Sequence, residues 1–197
     1  MLIPGAVGNL EARLDEATTT AENGAASSAI LAHPHPQYGG SMYDGVLDVV
    51  ASVLLDQGVN CLRFNFRGVG NSDGQFAQGE GEVDDLIAAF DWLCGEQPEH
   101  NIILAGYSFG SSVVFRSLEK LPVDQAILIA PPIGMMNFSS TPTAGSILGF
   151  AGDQDDFVDL SAYLDLLGEN GHVIAGADHF FSGRYGDLAE AIRSALG

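Results

Sequence analysis

Short apolar runs alternate with amphipathic stretches of about 10 to 15 residues along almost the whole chain, and that alternation leaves few folds open. The runs are Ser28 to Ala32, Val59 to Phe66, Ile102 to Gly106, Gln125 to Ala130, Ser146 to Ala151 and His172 to Ala175. Most carry apolar residues at consecutive positions rather than at every second one, as strands buried on both faces do. Between them, Tyr43 to Gln57, Glu82 to Leu93, Ser111 to Glu119, Phe157 to Leu167 and Arg184 to Leu196 carry apolar residues at helical spacing. The pattern predicts an α/β fold, a mostly parallel central sheet with helices on both faces and ligands bound at the carboxyl ends of the strands. Residues 1–22 read as an N-terminal antiparallel hairpin, with Gly5 and Gly8-Asn9 as turn signals and Asn23-Gly24 as a further turn before the next strand.

Length and composition fix the scale. With 197 residues, 46% of them hydrophobic, residues 1–197 are expected to form one domain. No run of about 18 uncharged apolar residues is present, and Met1-Leu2-Ile3-Pro4-Gly5 lacks both a basic start and a long apolar core, so a cytoplasmic protein with no membrane partner is expected. Cys61 and Cys94 have neither C-x-x-C nor metal-ligand spacing and read as free thiols. A formal charge of −19, from 26 acids against 7 bases, repels phosphate backbones and excludes nucleic acid as a partner.

Chemistry concentrates in Gly106-Tyr107-Ser108-Phe109-Gly110. Apolar Ile102 to Ala105 precedes it and an amphipathic stretch follows, which is the strand, sharp turn and helix order of a nucleophile elbow. A serine hydroxyl is a weak nucleophile at neutral pH and must stand exposed beside a base. A tight turn off a buried strand exposes it, Gly106 and Gly110 relieve crowding, and the Phe109 amide at the helix start can face a developing oxyanion. The base requires a carboxylate that fixes its tautomer. Later strand ends supply both: Gly152-Asp153-Gln154-Asp155-Asp156 with Asp159 nearby, and Gly176-Ala177-Asp178-His179-Phe180-Phe181. The order Ser108, Asp, His179 is that of α/β-hydrolases. His33-Pro34-His35-Pro36-Gln37-Tyr38-Gly39-Gly40 is too proline-rich for helix or central strand and forms a site wall. Pro34 and Pro36 have no N–H, so a second oxyanion donor comes from His35, Gln37 or Tyr38, with His35 favoured.

These segments together resemble the α/β-hydrolase superfamily, specifically its small, lidless bacterial serine esterase branch, which is dienelactone-hydrolase-like. The likeness spans nearly the whole chain: the His33 to Gly40 loop, Arg67 to Gly74, the Ser108 elbow, the Gly152 to Asp155 turn and Ala177 to Phe181 occur in the expected order. It implies the acid three residues after the glycine of its turn, at Asp155, and the second oxyanion amide at His35. Dienelactone hydrolases carry a cysteine nucleophile, and Ser108 departs from that pattern toward serine esterases. Only about 15 residues separate Ala130 from Ser146, too few for a helical lid domain.

The expected function is hydrolysis of carboxylic esters, short-chain ones in particular, through Ser108, His179 and Asp155 and an acyl-enzyme intermediate, with Phe109 and His35 as the oxyanion hole. Gln37, Tyr38, Tyr107 and Phe180 are the expected substrate-binding residues, Phe181 is a further candidate for the wall, and the partner is a small ester. No cofactor is expected. His33 and His35 lack a third ligand nearby, so no metal is expected. Arg67 to Gly70 lacks the ending of a phosphate loop and reads as turn structure; Asp73 reads as a turn acid and Trp92 as core. The same triad serves lactones, thioesters and amides, and the same scaffold can bind a ligand without catalysis. A lid-free rim leaves room for a homodimer.

Overall fold

The computed structural model describes residues 1–20, 26–138 and 144–197. The Asn23-Gly24 turn lies outside the described residues. One sheet runs through the molecule: β1 (Leu2–Gly5), β2 (Gly8–Asp15), β3 (Ser27–Ala32), β4 (Val59–Phe64), β5 (Asn101–Tyr107), β6 (Gln125–Ile129), β7 (Ser146–Gly152) and β8 (Gly171–Ile174), ordered β1-β2-β4-β3-β5-β6-β7-β8. The β1–β2 hairpin and the β2–β4 pair are antiparallel, and every pair from β4 to β8 is parallel. The helices are α1 (Gly45–Asp56), α2 (Glu80–Glu96), α3 (Phe109–Ser117), α4 (Leu160–Leu167) and α5 (Tyr185–Leu196).

Successive side chains of a strand point to opposite faces, and here both faces are covered. Ile30, Leu104 and Leu128 pack with Leu86 and Leu93 of α2, Val113 and Phe115 of α3, and Tyr163 of α4. Their neighbours Leu31, Ala105 and Ile127 pack on the other face with Val46, Val50 and Leu54 of α1 and Leu188 and Ile192 of α5. This two-sided burial explains why apolar residues stand side by side along the strands. Cys61 is buried in the second layer and its thiol is pushed up to about 12 by burial, while Cys94 is only partly buried; both are free.

Several boundaries differ from the sequence expectation for local reasons. β4 stops at Phe64, two residues early: the Asn65 N–H still meets the Glu11 carbonyl at 2.8 Å, but the Phe66 N–H turns off the ladder to donate to His33 Nε2 at 3.0 Å. The loop after β3 holds a single 3₁₀ turn, Pro36–Tyr38, with Pro36 at its first position, where a missing N–H costs nothing. α4 begins at Leu160, not Phe157, because the Asp159 carboxylate caps it by accepting from Ser161 and Ala162. Arg67 is buried on Asp85, which takes its backbone N–H and two guanidinium N–H groups, and Asp73 accepts from the Asn9 N–H, so the glycine-rich loop is structural. No helix among the described residues is long and apolar enough to cross a membrane.

Candidate active site

The carboxyl ends of β3, β5, β7 and β8 open on one edge, and the loops leaving them bring the expected residues together. β5 runs into Ser108, whose backbone is held at φ 52° and ψ −118° before α3 starts at Phe109. Few L-residues adopt this conformation, and it costs on the order of 1 to 3 kcal/mol. Two close approaches impose the flanking glycines: a Cβ on Gly106 would stand 2.4 Å from the Gly110 carbonyl oxygen, and one on Gly110 would stand 2.2 Å from that of Ala32. The Ser108 N–H is tied to the Ile129 carbonyl at 2.9 Å. The turn therefore thrusts the Ser108 hydroxyl above the sheet edge.

His179 meets that hydroxyl, with Nε2 2.9 Å from Ser108 Oγ. Its Nδ1 lies 2.8 Å from Asp155 Oδ2 and 3.0 Å from Oδ1. Facing a carboxylate, Nδ1 carries the proton and Nε2 turns its lone pair to the serine. The Asp155 side chain has no exposed surface and is further oriented by the Phe157 N–H at 2.8 Å. The neighbouring acids have other employment. Asp153 is exposed and accepts from the Gly176 N–H at 2.6 Å, Asp159 caps α4, and Asp156 is exposed. The residue spacing implied by the resemblance thus coincides with the one buried acid of the group that reaches the imidazole.

The loop carrying His179 is pinned from three sides. The Tyr107 hydroxyl donates to the His179 carbonyl at 3.0 Å, Asp178 accepts from the Phe180 and Ser182 N–H groups, and Gly152 is so close to Ala177 that a Cβ would stand 2.0 Å from its carbonyl oxygen. Burial, and after it the nearby charges of Asp44 and Asp155, hold the Tyr107 phenol protonated well above its ordinary range. Phe157 packs 4.6 Å from the imidazole centroid and Phe180 edge-on at 5.4 Å.

A cleft of about 610 Å³ opens over these groups. His35 and Phe109 both line it, with Phe109 at the first helical position, where an N–H has no acceptor within its own helix. The loop bearing His35 is stapled beneath: His33, fully buried, meets the Pro34 carbonyl through Nδ1 at 2.6 Å and accepts from Phe66 through Nε2, and Asn65 holds Met42 at the far end. Burial drives the His33 imidazole down to about 4, so it is neutral here. With both ring nitrogens engaged it has no lone pair to share with His35, whose own Nδ1 accepts from the Gln37 N–H. Among the described residues no three His, Cys, Asp or Glu side chains gather as a metal site requires.

Of the expected substrate-binding residues, Tyr38, Tyr107 and Phe180 line the cleft, whereas Gln37 is exposed and does not. Phe181 is also no wall, because at φ 51° it turns inward and is fully buried against the α1 and α5 layer. Sequence reasoning missed Asp44, Met135, Met136 and Phe157, all of which line the cleft. The methionines follow Pro131-Pro132 at the carboxyl end of β6, and that placement was the available signal.

Comparison with known proteins agrees with this geometry. A family profile described as serine aminopeptidase, S33, matches residues 38–154. An uncharacterized protein of Rickettsia prowazekii is 35% identical over 211 residues, spanning 98% of this chain and 86% of its own. The chain belongs to the α/β serine hydrolases. Solved structures place this hydrolase in the lidless branch. An α/β serine hydrolase homologue from Coxiella burnetii is 34% identical with a TM-score of 0.92, covering 100% of this chain and 96% of the other. A serine hydrolase without lid from Xanthomonas campestris is 33% identical with a TM-score of 0.91, covering 100% and 92%. In the hydrolase described here, β6 and β7 are likewise joined by a connection too short for a lid domain.

Proposed function

We propose that this hydrolase cleaves carboxylic esters by acyl transfer to Ser108. The observation that carries the reading is the continuous relay from buried Asp155 through His179 to a hydroxyl held out on a strained turn. In the forward step His179 Nε2 takes the hydroxyl proton as Oγ attacks the ester carbonyl, Asp155 stabilises the imidazolium, and the carbonyl oxygen becomes an oxyanion. The amides of Phe109 and His35 are the donors for that oxyanion. Collapse of the tetrahedral species expels the alcohol, which takes its proton from His179. Water, deprotonated by the same imidazole, then adds to the acyl-serine and releases the carboxylic acid. Each proton borrowed by His179 is returned within the cycle, so no cofactor is required.

Ester rather than amide specificity follows from the open cleft. An amide nitrogen is a poor leaving group, and enzymes that expel it draw on many remote contacts to hold the substrate; a cleft open at the rim offers few. The test is a panel of p-nitrophenyl esters of graded chain length run beside Ser108→Ala, together with a fluorophosphonate probe. Turnover of short esters and labelling of the wild type, both lost in Ser108→Ala, are expected. A protein that neither labels nor turns over any ester would be a silent binding scaffold, and labelling with turnover of lactones, thioesters or amides alone would move the substrate class.

A further inference from the structure

The cleft takes in a carboxylate that the hydrolytic steps do not use. Asp44 lies at the N-cap of α1, half-buried, and is the one carboxylate among the described residues that line the cleft; no lysine or arginine lines it. Its Oδ1 accepts both capping bonds, from Val46 at 2.8 Å and Leu47 at 3.4 Å, and no donor among the described residues reaches Oδ2. A cap by itself does not call for charge, since neutral asparagine or serine caps a helix as well as aspartate. Burial here opposes the charge, lifting the Asp44 carboxyl above its ordinary range despite the two capping N–H groups, and Asp48, itself paired with Arg63, adds to the same effect. Its charge also reaches the Tyr107 hydroxyl, another group lining the cleft, and adds to burial in holding that phenol protonated. The same cleft is lined by Tyr38, Phe157 and Phe180, which are 87%, 42% and 58% exposed.

We propose that Asp44 determines specificity, selecting esters that carry a positively charged ammonium group inside the cleft. The proposal rests on the ester-hydrolase reading above. A partly desolvated carboxylate on the cleft wall, one of whose oxygens meets no donor among the described residues and which no lysine or arginine of the lining neutralises, is completed by a cation and repels an anion. Exposed aromatic faces add the attraction that quaternary ammonium groups find over ring faces. An uncharged ester leaves that carboxylate without a compensating partner.

Two matched pairs of substrates test this. Acetylthiocholine against 3,3-dimethylbutyl thioacetate places the charge on the leaving side. The p-nitrophenyl ester of 4-(trimethylammonio)butanoate against that of 5,5-dimethylhexanoate places it on the acyl side. Within each pair the shape is the same and only the charge differs. The wild type is expected to favour the cation in at least one pair by about tenfold in kcat/KM at low salt, in line with a half-exposed charge pair. Asp44→Asn, which keeps the cap, brings that ratio close to one. Asp156→Asn removes the same unit of charge from an exposed position and keeps the ratio. A ratio near one for both pairs in the wild type, a ratio unchanged in Asp44→Asn, or an equal fall in Asp156→Asn overturns the proposal. Calorimetric titration of Ser108→Ala and of Ser108→Ala with Asp44→Asn, using the same four compounds, reads the preference without turnover. If no ester is hydrolysed and no probe label appears, the ester reading fails, and the calorimetric comparison still decides the role of Asp44.

Discussion

Among the acids that follow β7, burial and reach decide which one serves His179. Asp155 alone is buried and within hydrogen-bond distance of Nδ1, so Asp155→Asn should present the wrong tautomer to Ser108 and cost about 10⁴ in kcat. Asp153→Asn and Asp156→Asn should cost less than about tenfold, and steady-state kinetics on one short ester rank the three. The residues alone leave four acids open, Asp153, Asp155, Asp156 and Asp159; the family resemblance points to Asp155, whereas which carboxylate the turn folds under is set by contacts that composition and spacing do not encode. His33 was visible only as part of a proline-rich loop, because its role is set by the Phe66 N–H, far away in sequence. Its imidazole titrates at about 4 in the fold against ~6.5 unfolded. The unfolded chain therefore binds more protons in this window, and stability rises with pH through it and is lost as pH falls from ~6.5 toward 4. The loss attributable to His33 amounts to about 3 kcal/mol, read as the difference between wild type and His33→Gln in how far urea unfolding free energy falls from pH 7 to pH 4. His33→Gln should be less stable at pH 7 and should show a shallower drop.

At the scale of elements, periodicity located the strands from β3 onward and every α-helix, because apolar runs and helical spacing are direct consequences of burial on two faces, while the β1–β2 hairpin rests on its glycine turn signals. It erred at ends where a long-range bond overrides local preference. The spacing predicts the helix from Ser111, yet α3 already starts at Phe109 and takes in Gly110, where a Cβ would stand 2.2 Å from the Ala32 carbonyl oxygen. Gly110→Ala should consequently push β3 and β5 apart, lowering stability by about 2 kcal/mol or more in urea unfolding and disordering the oxyanion donors, so that kcat falls with it. The short β6–β7 connection has a kinetic consequence of its own. With no lid to cover it, an acyl chain beyond the cleft lies in water and gains none of the ~0.8 kcal/mol per buried CH₂ that a closed tunnel supplies. The p-nitrophenyl series should show kcat/KM falling beyond roughly eight acyl carbons. A steady rise out to sixteen carbons would mean that some part of the chain covers the cleft after all.

For the whole molecule, charge is the dominant peculiarity. All the arginines are already engaged: Arg13 with Asp15, Arg63 with Asp48 and Asp15, Arg67 with Asp85, Arg116 with Glu80, Arg184 with Asp187 and Arg193 with Glu190. Lys120 is the sole lysine, so most of the 26 acids face no basic partner among the described residues. Folding gathers a charge of −19 into a small volume, and the repulsion disfavours the compact state over the extended one. Salt weakens that repulsion over the Debye length, which shrinks from ~30 Å at 0.01 M to ~8 Å at 0.15 M and ~3 Å at 1 M. The melting temperature should therefore rise with NaCl, and most steeply below about 0.2 M, where the screening length passes through the spacing of surface charges. The shape of the curve separates this cause from a general strengthening of apolar burial by salt, which grows with concentration and would put the larger part of the rise above 0.5 M. A flat or falling curve at low salt would mean that the surviving ion pairs, which screening also weakens, outweigh the unpaired acids.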